Sequence, residues 1–316
     1  MILFVSIKDW ANMGLMLSRC LRKVGVDAEA ITVEPTRFQY QEMPHHTPTI
    51  EAMRPYFDAA ETIVFMHSNP NLLTIPYDFG KKKLAVFHGG TEYRQKPDVI
   101  NDLFNDRVYV SLVQTSNLLG LGAKNEKWIL PPVDTDLIQP SKKVDWPWKD
   151  SLSNKIIVGH FPRSPIVKGT DEINRVVASL QGKHDFHYLF SAYQVDWAEN
   201  LRRMGRCDIY ICAMKPMLYG KPYGGGIEVT DLESAALGKV TVTHFAYHLD
   251  RYLREFGNHL PLYIANEPSE LFETLDMFLG ADLKELDDIK EETRAWVEKN
   301  HSYEAVGRRL VNALQM

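Results

Sequence analysis

The chain has 316 residues, long enough for two domains with buried cores, and its 45% hydrophobic and 24% charged fractions are those of a soluble globular protein. A net charge of −5 and a pI near 6.1 give no basic footprint for nucleic acid. Cys20, Cys207 and Cys212 make an odd count without a close CxxC pair, so neither a disulfide framework nor a zinc site is indicated. MILFVS is too short for the apolar core of a signal peptide and runs directly into Lys8 and Asp9. No apolar stretch nears the roughly 20 residues that span a bilayer, so a cytoplasmic protein is expected, with membrane contact possible only at its surface.

Ile2 to Val5 is a continuous apolar run of the kind found in buried parallel strands. A turn from Ser6 to Gly14 follows. Leu15, Leu17, Cys20, Leu21 and Val24 then mark one face of a helix ending near Gly25, and Ala30 to Val33 reads as the next strand. Strand, helix, strand in this order implies a right-handed crossover and a doubly wound sheet. GxGxxG is absent, so the lone Gly14 is no dinucleotide fingerprint. From Glu34 to Thr49 the chain is polar and broken by Pro35, Pro44 and Pro48. His45 and His46 point apart on either regular element, so the segment reads as a flexible loop and not as a metal pair.

Ile50 to Ala60 looks helical apart from Pro55, and Thr62 to Met66 is a buried strand that delivers His67, Ser68 and Asn69 to its end. Leu84 to Phe87 is another such strand and ends in HGGTEYR. Open parallel sheets bind ligands outside the carboxyl ends of their strands. His88 stands at such an end before Gly89 and Gly90 and is a candidate to line a site, while Glu92 and Arg94 read equally as a surface ion pair. Val108 to Gln114 is a further strand, with Thr115, Ser116 and Asn117 offering a cap to a short helix. In WILPPVDTDLIQP, Trp128 to Pro140, two prolines exclude a central strand. Asp134 and Asp136 are therefore read as hydrogen-bonding groups of a turn, and no metal site is expected.

The polar stretch 141–155, with Trp146, Pro147 and Trp148, is the predicted linker between a first domain, 1–140, and a second, 156–296. The second begins with a strand at Ile156 to Val158, followed by GHFPRSPIVKGTDEINRVVASL. Asp185 to Phe190 is a strand, Trp197 to Met204 an amphipathic helix, and Cys207 to Cys212 a strand leading to a glycine loop, Gly224, Gly225 and Gly226. Beyond the loop Val229, Leu232, Ala235 and Ala236 recur at helical spacing. Gly238 ends that helix, and Lys239 to Thr243 alternates as a strand. Thr230 and Glu233 are spaced as a capping box. A glycine loop lets the backbone approach a ligand, the free amides and dipole of a helix start favour phosphate, and Glu233, one turn in, could bind a pair of hydroxyls. A short helix after Thr243, a strand at Leu262 to Ile264, a helix at Pro268 to Leu279 and a solvated charged helix from Asp282 to Glu298 complete this half. The terminal segment, 297–316, is helical, with His301 a cap or packing residue.

LESAALGKVTVT resembles the nucleotide-binding signature of retaining glycosyltransferases of the GT-B kind, family 4 in the sequence classification. VKGTD and ILPPVDTDLIQP are similar to further stretches of that family in the same order. The resemblance implies an α/β chain of two Rossmann-like domains facing across a cleft, with the C-terminal helix crossing back to the first. It implies a retaining, metal-independent transfer of a sugar from a nucleotide-sugar donor, a UDP- or GDP-sugar, with no further cofactor. The acceptor is not named: glycan, lipid, small molecule or nucleic acid. By the family's pattern Glu233 holds the donor ribose, while Gly225 stands where the partner glutamate belongs and Glu228 lies nearby. Lys168 and Gly169 match the diphosphate clamp, His160 occupies its first basic position, and Arg163 offers a second charge. Preorganised cations there lower the barrier as the leaving group gains charge. Asn12 and Gly14 match the loop that faces the diphosphate from the first domain, and His88 matches a histidine facing the acceptor and reactive carbon. Two other readings stay open. One is an epimerase or hydrolase on the same fold, with Glu92 and Glu228 as candidate carboxylates. The other is a non-catalytic nucleotide-sugar binder, suggested by Gly225 in place of glutamate.

Overall fold

The apolar run at the start of the chain is buried along its length, as a strand covered on both faces requires. It forms β1 (Ile2–Lys8), and the parallel partners on its two sides are β2 (Ala28–Glu34) and β4 (Thr62–Met66). The computed structural model describes residues 1–35, 40–140, 155–193, 195–218, 221–222, 225–257 and 259–315. The chain divides into two units, Met1–Pro132 with His301–Met316, and Val133–Asn300.

In the first unit the strands run in the order β3-β2-β1-β4-β5-β6-β7, where β3 is His45–His46, β5 Lys83–His88, β6 Val110–Val113 and β7 Glu126–Trp128. Every pairing is parallel, and the order grows outward from β1 in both directions, the mark of a doubly wound sheet. Helix α1 (Met13–Lys23) buries Leu15, Leu17, Cys20 and Leu21, the face marked by their spacing. Helix α2 (Ile50–Ala59) starts at Thr49, whose hydroxyl accepts the Ala52 amide, and runs through Pro55. The polar stretch around His45 and His46, expected as a loop, is regular there. His45–His46 is a short edge strand whose neighbour Thr47 donates its amide to the Thr32 carbonyl at 2.8 Å. HGGTEYR winds into α3 (Gly90–Gln95), with α4 (Pro97–Phe104) following.

In the second unit the order is β14-β13-β10-β8-β9, again parallel throughout: β8 Ile157–His160, β9 His187–Phe190, β10 Ile209–Ile211, β13 Val240–Thr243 and β14 Tyr263–Ile264. A small antiparallel hairpin, β11 (Met217–Leu218) and β12 (Lys221–Pro222), stands apart from the sheet. The helices are α5 (Pro165–Lys168), α6 (Thr170–Gln181), α7 (Trp197–Met204), α8 (Val229–Ala236), α9 (Leu249–Phe256), α10 (Pro268–Gly280) and α11 (Leu283–His301). Val158, Ile209, Ile211, Val240 and Val242 of the sheet form one core with Ile173, Val177 and Leu180 of α6 and Leu271 and Leu275 of α10. Residues 133–140 belong to this unit. The buried Arg294 guanidinium of α11 donates to the carbonyls of Thr135, Ile138 and Ala236 at 2.8, 2.6 and 2.6 Å. Of the expected linker only Lys155 lies among the described residues, paired with Asp185 at 2.6 Å.

The last helix, α12 (Tyr303–Ala313), belongs to the first unit and packs on α1. Their backbones approach so closely at Gly307 that a Cβ there would overlap the Cys20 carbonyl oxygen. His301 is buried with Nδ1 against the Pro131 carbonyl at 3.0 Å, and burial lowers its pKa to about 3. It is a packing residue. No helix among the described residues is long and apolar enough to cross a membrane.

Candidate functional site

β8, β10 and β13 are adjacent and parallel, so the segments leaving their carboxyl ends converge within the second unit. After β8 the chain turns into α5, whose last residue is Lys168. Gly169 closes that helix at φ +72°, and a Cβ on it would overlap the carbonyl oxygen of Met214. The Met214 amide donates to the Lys168 carbonyl at 3.1 Å. Only glycine lets the Lys168 turn lie this close to the segment after β10. The Lys168 ammonium donates to the Glu228 carboxylate and lies 3.5 Å from the Cys212 sulfur.

Glu228 is the N-cap of α8, and its backbone N–H is taken by the Asp231 carboxylate at 2.7 Å. The expected box of Thr230 and Glu233 is therefore replaced by Glu228 and Asp231, two residues earlier. Glu233 is left free of its own helix start and meets a different partner: Trp197, at the start of α7, donates its indole N–H to Glu233 Oε1 at 2.6 Å. The glycine loop is held to the segment after β13. Gly225, at φ +57°, has no room for a Cβ against the His244 carbonyl, and the Gly226 amide donates to that same oxygen at 2.9 Å. The Gly226 amide, expected to meet an anion, is thus engaged by the protein itself. Gly224 lies outside the described residues.

Charge is concentrated here under heavy burial. Burial works against the Lys168 ammonium, but Cys212, Glu228 and Asp231 outweigh it and hold its pKa well above the usual lysine value. Asp231 is fully buried, which pushes its pKa up to about 6 against the pull of Lys168. Glu233 is 6% exposed, and burial lifts it to about 7 although the Trp197 hydrogen bond and the Lys168 charge act to lower it. The Cys212 thiol is likewise held well above its ordinary value, chiefly by burial.

His160 is not part of this charged group. Its Nδ1 donates to the Ile211 carbonyl at 2.8 Å, which leaves Nε2 to accept the Thr170 hydroxyl at 2.9 Å, and burial lowers its pKa to about 4. At the expected first basic position there is a neutral imidazole that braces the sheet. Arg163 is exposed on the turn before α5. Asp134 accepts the Leu137 amide at 3.0 Å, as a turn residue.

In the first unit, buried Asp9 follows β1 and its carboxylate accepts the amides of Gly14 and Leu15 at 2.8 and 3.1 Å. The Gly14 N–H, expected to face a diphosphate, is occupied by this aspartate, which favours the positive end of α1. Asn12 adopts φ +57°, donates Nδ2 to the Glu42 carbonyl at 2.9 Å, and buries an Oδ1 that has no partner among the described residues. His88 is 0% exposed. Its Nδ1 is 2.7 Å from the Ser68 hydroxyl, its ring stacks on Tyr93 at 4.0 Å, and burial lowers its pKa to about 3. The imidazole faces Ser68 and Tyr93 instead of solvent. His67, at the end of β4, is the partly exposed histidine here, with Nε2 3.5 Å from Asp9 Oδ1. His67 stands at the strand end where the sequence placed it, whereas Asp9, Asp231 and Trp197 were not singled out from the sequence. For Asp9 the available signal was an acidic residue just ahead of a helix start; for Trp197 there was none.

No protein-family model matches the sequence, and no curated protein sequence is similar to it at a significant level. Among solved structures the chain is similar to HepE from Anabaena in complex with UDP-glucose, at 14% identity and a TM-score of 0.70 with 99% of each chain covered. It is similar to an α,α-trehalose-phosphate synthase (UDP-forming) from Burkholderia vietnamiensis, at 10% identity and a TM-score of 0.64 over 99% of each chain. A third is sucrose-phosphate synthase from Thermosynechococcus elongatus, at 11% identity and a TM-score of 0.61 over 99% of this chain and 98% of that one. At these identities the likeness shows the fold, and the fold is the α/β GT-B arrangement.

Proposed function

We propose that the protein is a glycosyltransferase that moves a sugar from a nucleotide diphosphate donor to a hydroxyl-bearing acceptor, with retention of configuration and without a metal ion. One observation carries the reading: the partly buried Lys168 ammonium, at a turn that only glycine can make, and the buried Glu233 carboxylate stand on the segments that follow the adjacent parallel strands β8 and β10, and the lysine charge acts on the carboxylate. Lys168 holds the diphosphate and stabilises the charge that grows on it as the sugar leaves, with Arg163 as a second cation. Glu233 accepts the ribose hydroxyls. In the absence of donor, Glu228 neutralises Lys168, so the diphosphate takes the place of that carboxylate. A uridine nucleotide is the favoured donor, since the similar HepE structures hold UDP and UDP-glucose and the similar trehalose-phosphate synthase is described as UDP-forming. A cytoplasmic site of action goes with such a donor.

The test is incubation with radiolabelled UDP- and GDP-sugars, scoring nucleoside diphosphate and sugar product. Release of both, with the anomeric configuration kept in the product, supports the transferase. Lys168→Ala should lower turnover by about 10²–10³, the loss typical of a removed charge-stabilising donor. Unchanged turnover in that variant removes the clamp assignment. An isomerised donor would make the protein an epimerase, and binding without turnover a nucleotide-sugar binder.

A further inference from the structure

We propose that Trp197 is a positioning residue for the donor: its indole fixes one oxygen of the Glu233 carboxylate so that the other is presented to the ribose hydroxyls. The inference rests on the ribose-binding role of Glu233 given above. An indole N–H can only donate, so in the 2.6 Å contact Glu233 Oε1 must accept. Among the described residues Oε2 has no partner, and one carboxylate oxygen can accept two hydrogen bonds, which suits vicinal hydroxyls. The indole is itself held on a built helix start. Asp196 caps α7 by accepting the Glu199 amide at 2.7 Å, and Glu199 in turn pairs with Arg203 at 2.9 Å and with Arg202. Trp197 and Glu233 lie on different helices, 36 residues apart, so their contact fixes the carboxylate against a second element and not only against its own helix.

Removing the indole donor leaves a buried carboxylate with one favourable influence fewer, so its proton is held to higher pH. The charged group that acts on it is Lys168 from α5; on its own helix Asp231 lies two residues back and Glu228 at the cap, and these two, with Cys212 after β10, act on Lys168. On α7, Glu199, Arg202 and Arg203 are occupied with one another. Asp231 and the phosphates titrate alike in the wild type and in a Trp197 variant, so comparison at a single pH cancels them.

The experiment is calorimetric titration of the full-length protein with UDP, and with GDP in parallel, for wild type, Trp197→Phe and Glu233→Gln at pH 6.5 and 8.5. The wild-type Glu233 pKa is about 7. If the variant's rises by about one unit, the ionised fraction at pH 6.5 falls about eightfold, and by less than about twofold at pH 8.5. Trp197→Phe should therefore bind about eightfold more weakly than wild type at pH 6.5 and recover at pH 8.5, a recovery that also shows the variant is folded. Glu233→Gln should be weak at both. An equal loss at both pH values, as a packing role would give, or no loss at either, overturns the inference while leaving the function intact. Failure of the wild type to bind either nucleotide overturns both.

Discussion

Replacing Glu233 with glutamine should stabilise the protein at neutral pH while weakening its hold on a donor. Burial lifts this carboxyl from an ordinary 4.5 to about 7, so between those values the folded state keeps a proton that the unfolded chain has lost. Stability then falls as pH rises through the window, by about 1.4 kcal/mol per unit, and the loss levels off above pH 7 at about 3 kcal/mol. Below pH 4.5 both states are protonated and the group costs nothing. Glutamine keeps the shape, accepts the Trp197 N–H through its amide oxygen, and carries no charge. Its advantage over wild type should be about 3 kcal/mol at pH 8 and under about 1 kcal/mol at pH 5. The assay is urea unfolding followed by circular dichroism at the two pH values, comparing the transition that the substitution moves. A constant offset from the new amide NH₂ cancels in the difference between them. If glutamine gives the same change at pH 5 and pH 8, the carboxylate is well solvated in the folded state and its burial costs nothing. The expected result is a buried carboxylate kept at the expense of stability, the trade-off that the proposed ribose contact would account for.

Gly169→Ala forces a left-handed backbone that costs a non-glycine residue about 1–2 kcal/mol, and adds an overlap with the Met214 carbonyl. The thermal midpoint should drop by about 5–10 °C and nucleotide binding should be lost, whereas an unchanged midpoint would mean the Lys168 turn does not lie against the segment after β10. Gly307→Ala drives a methyl into the Cys20 carbonyl and should cost about 2–3 kcal/mol, read as lost hydrogen-exchange protection in α1 and α12; Gly280→Ala, with open space around it, should change stability by less than about 0.5 kcal/mol. On acidification the first unit should open before the second. His88 and His301, both with pKa values of about 3, stabilise fully above pH 6.5 and lose about 5 kcal/mol between them by pH 4.5. In the second unit His160 loses in the same direction, but protonation of Asp231 and Glu233 offsets it. Amide exchange that rises together in both units between pH 6.5 and 4.5 would contradict this.

Thr62–Met66 and Trp197–Met204 were legible to the residue, because an apolar strand of that length and an amphipathic helix carry their period in consecutive residues. β3 and the β11–β12 hairpin, with two residues to a strand, are too short to show one, and HGGTEYR, whose Gly89 is the N-cap of α3, has too short a helix to show its period. At the site Lys168 and Glu233 stood out by motif, but the residues that set their chemistry did not. EVTDLE contains two overlapping capping patterns, Glu228 with Asp231 and Thr230 with Glu233, and local preference favours the threonine. The choice falls on Glu228, whose charge is met by the Lys168 ammonium from 60 residues away, while Asp231 turns inward to the Glu228 amide. That shift of two residues has a chemical consequence. With the cap at Thr230, one oxygen of the Glu233 carboxylate would be taken by the Thr230 amide and the group would be aimed at its own helix start. A lysine distant in sequence therefore favours the earlier start, and with the helix begun at Glu228 the Glu233 carboxylate meets the Trp197 indole instead of its own helix start.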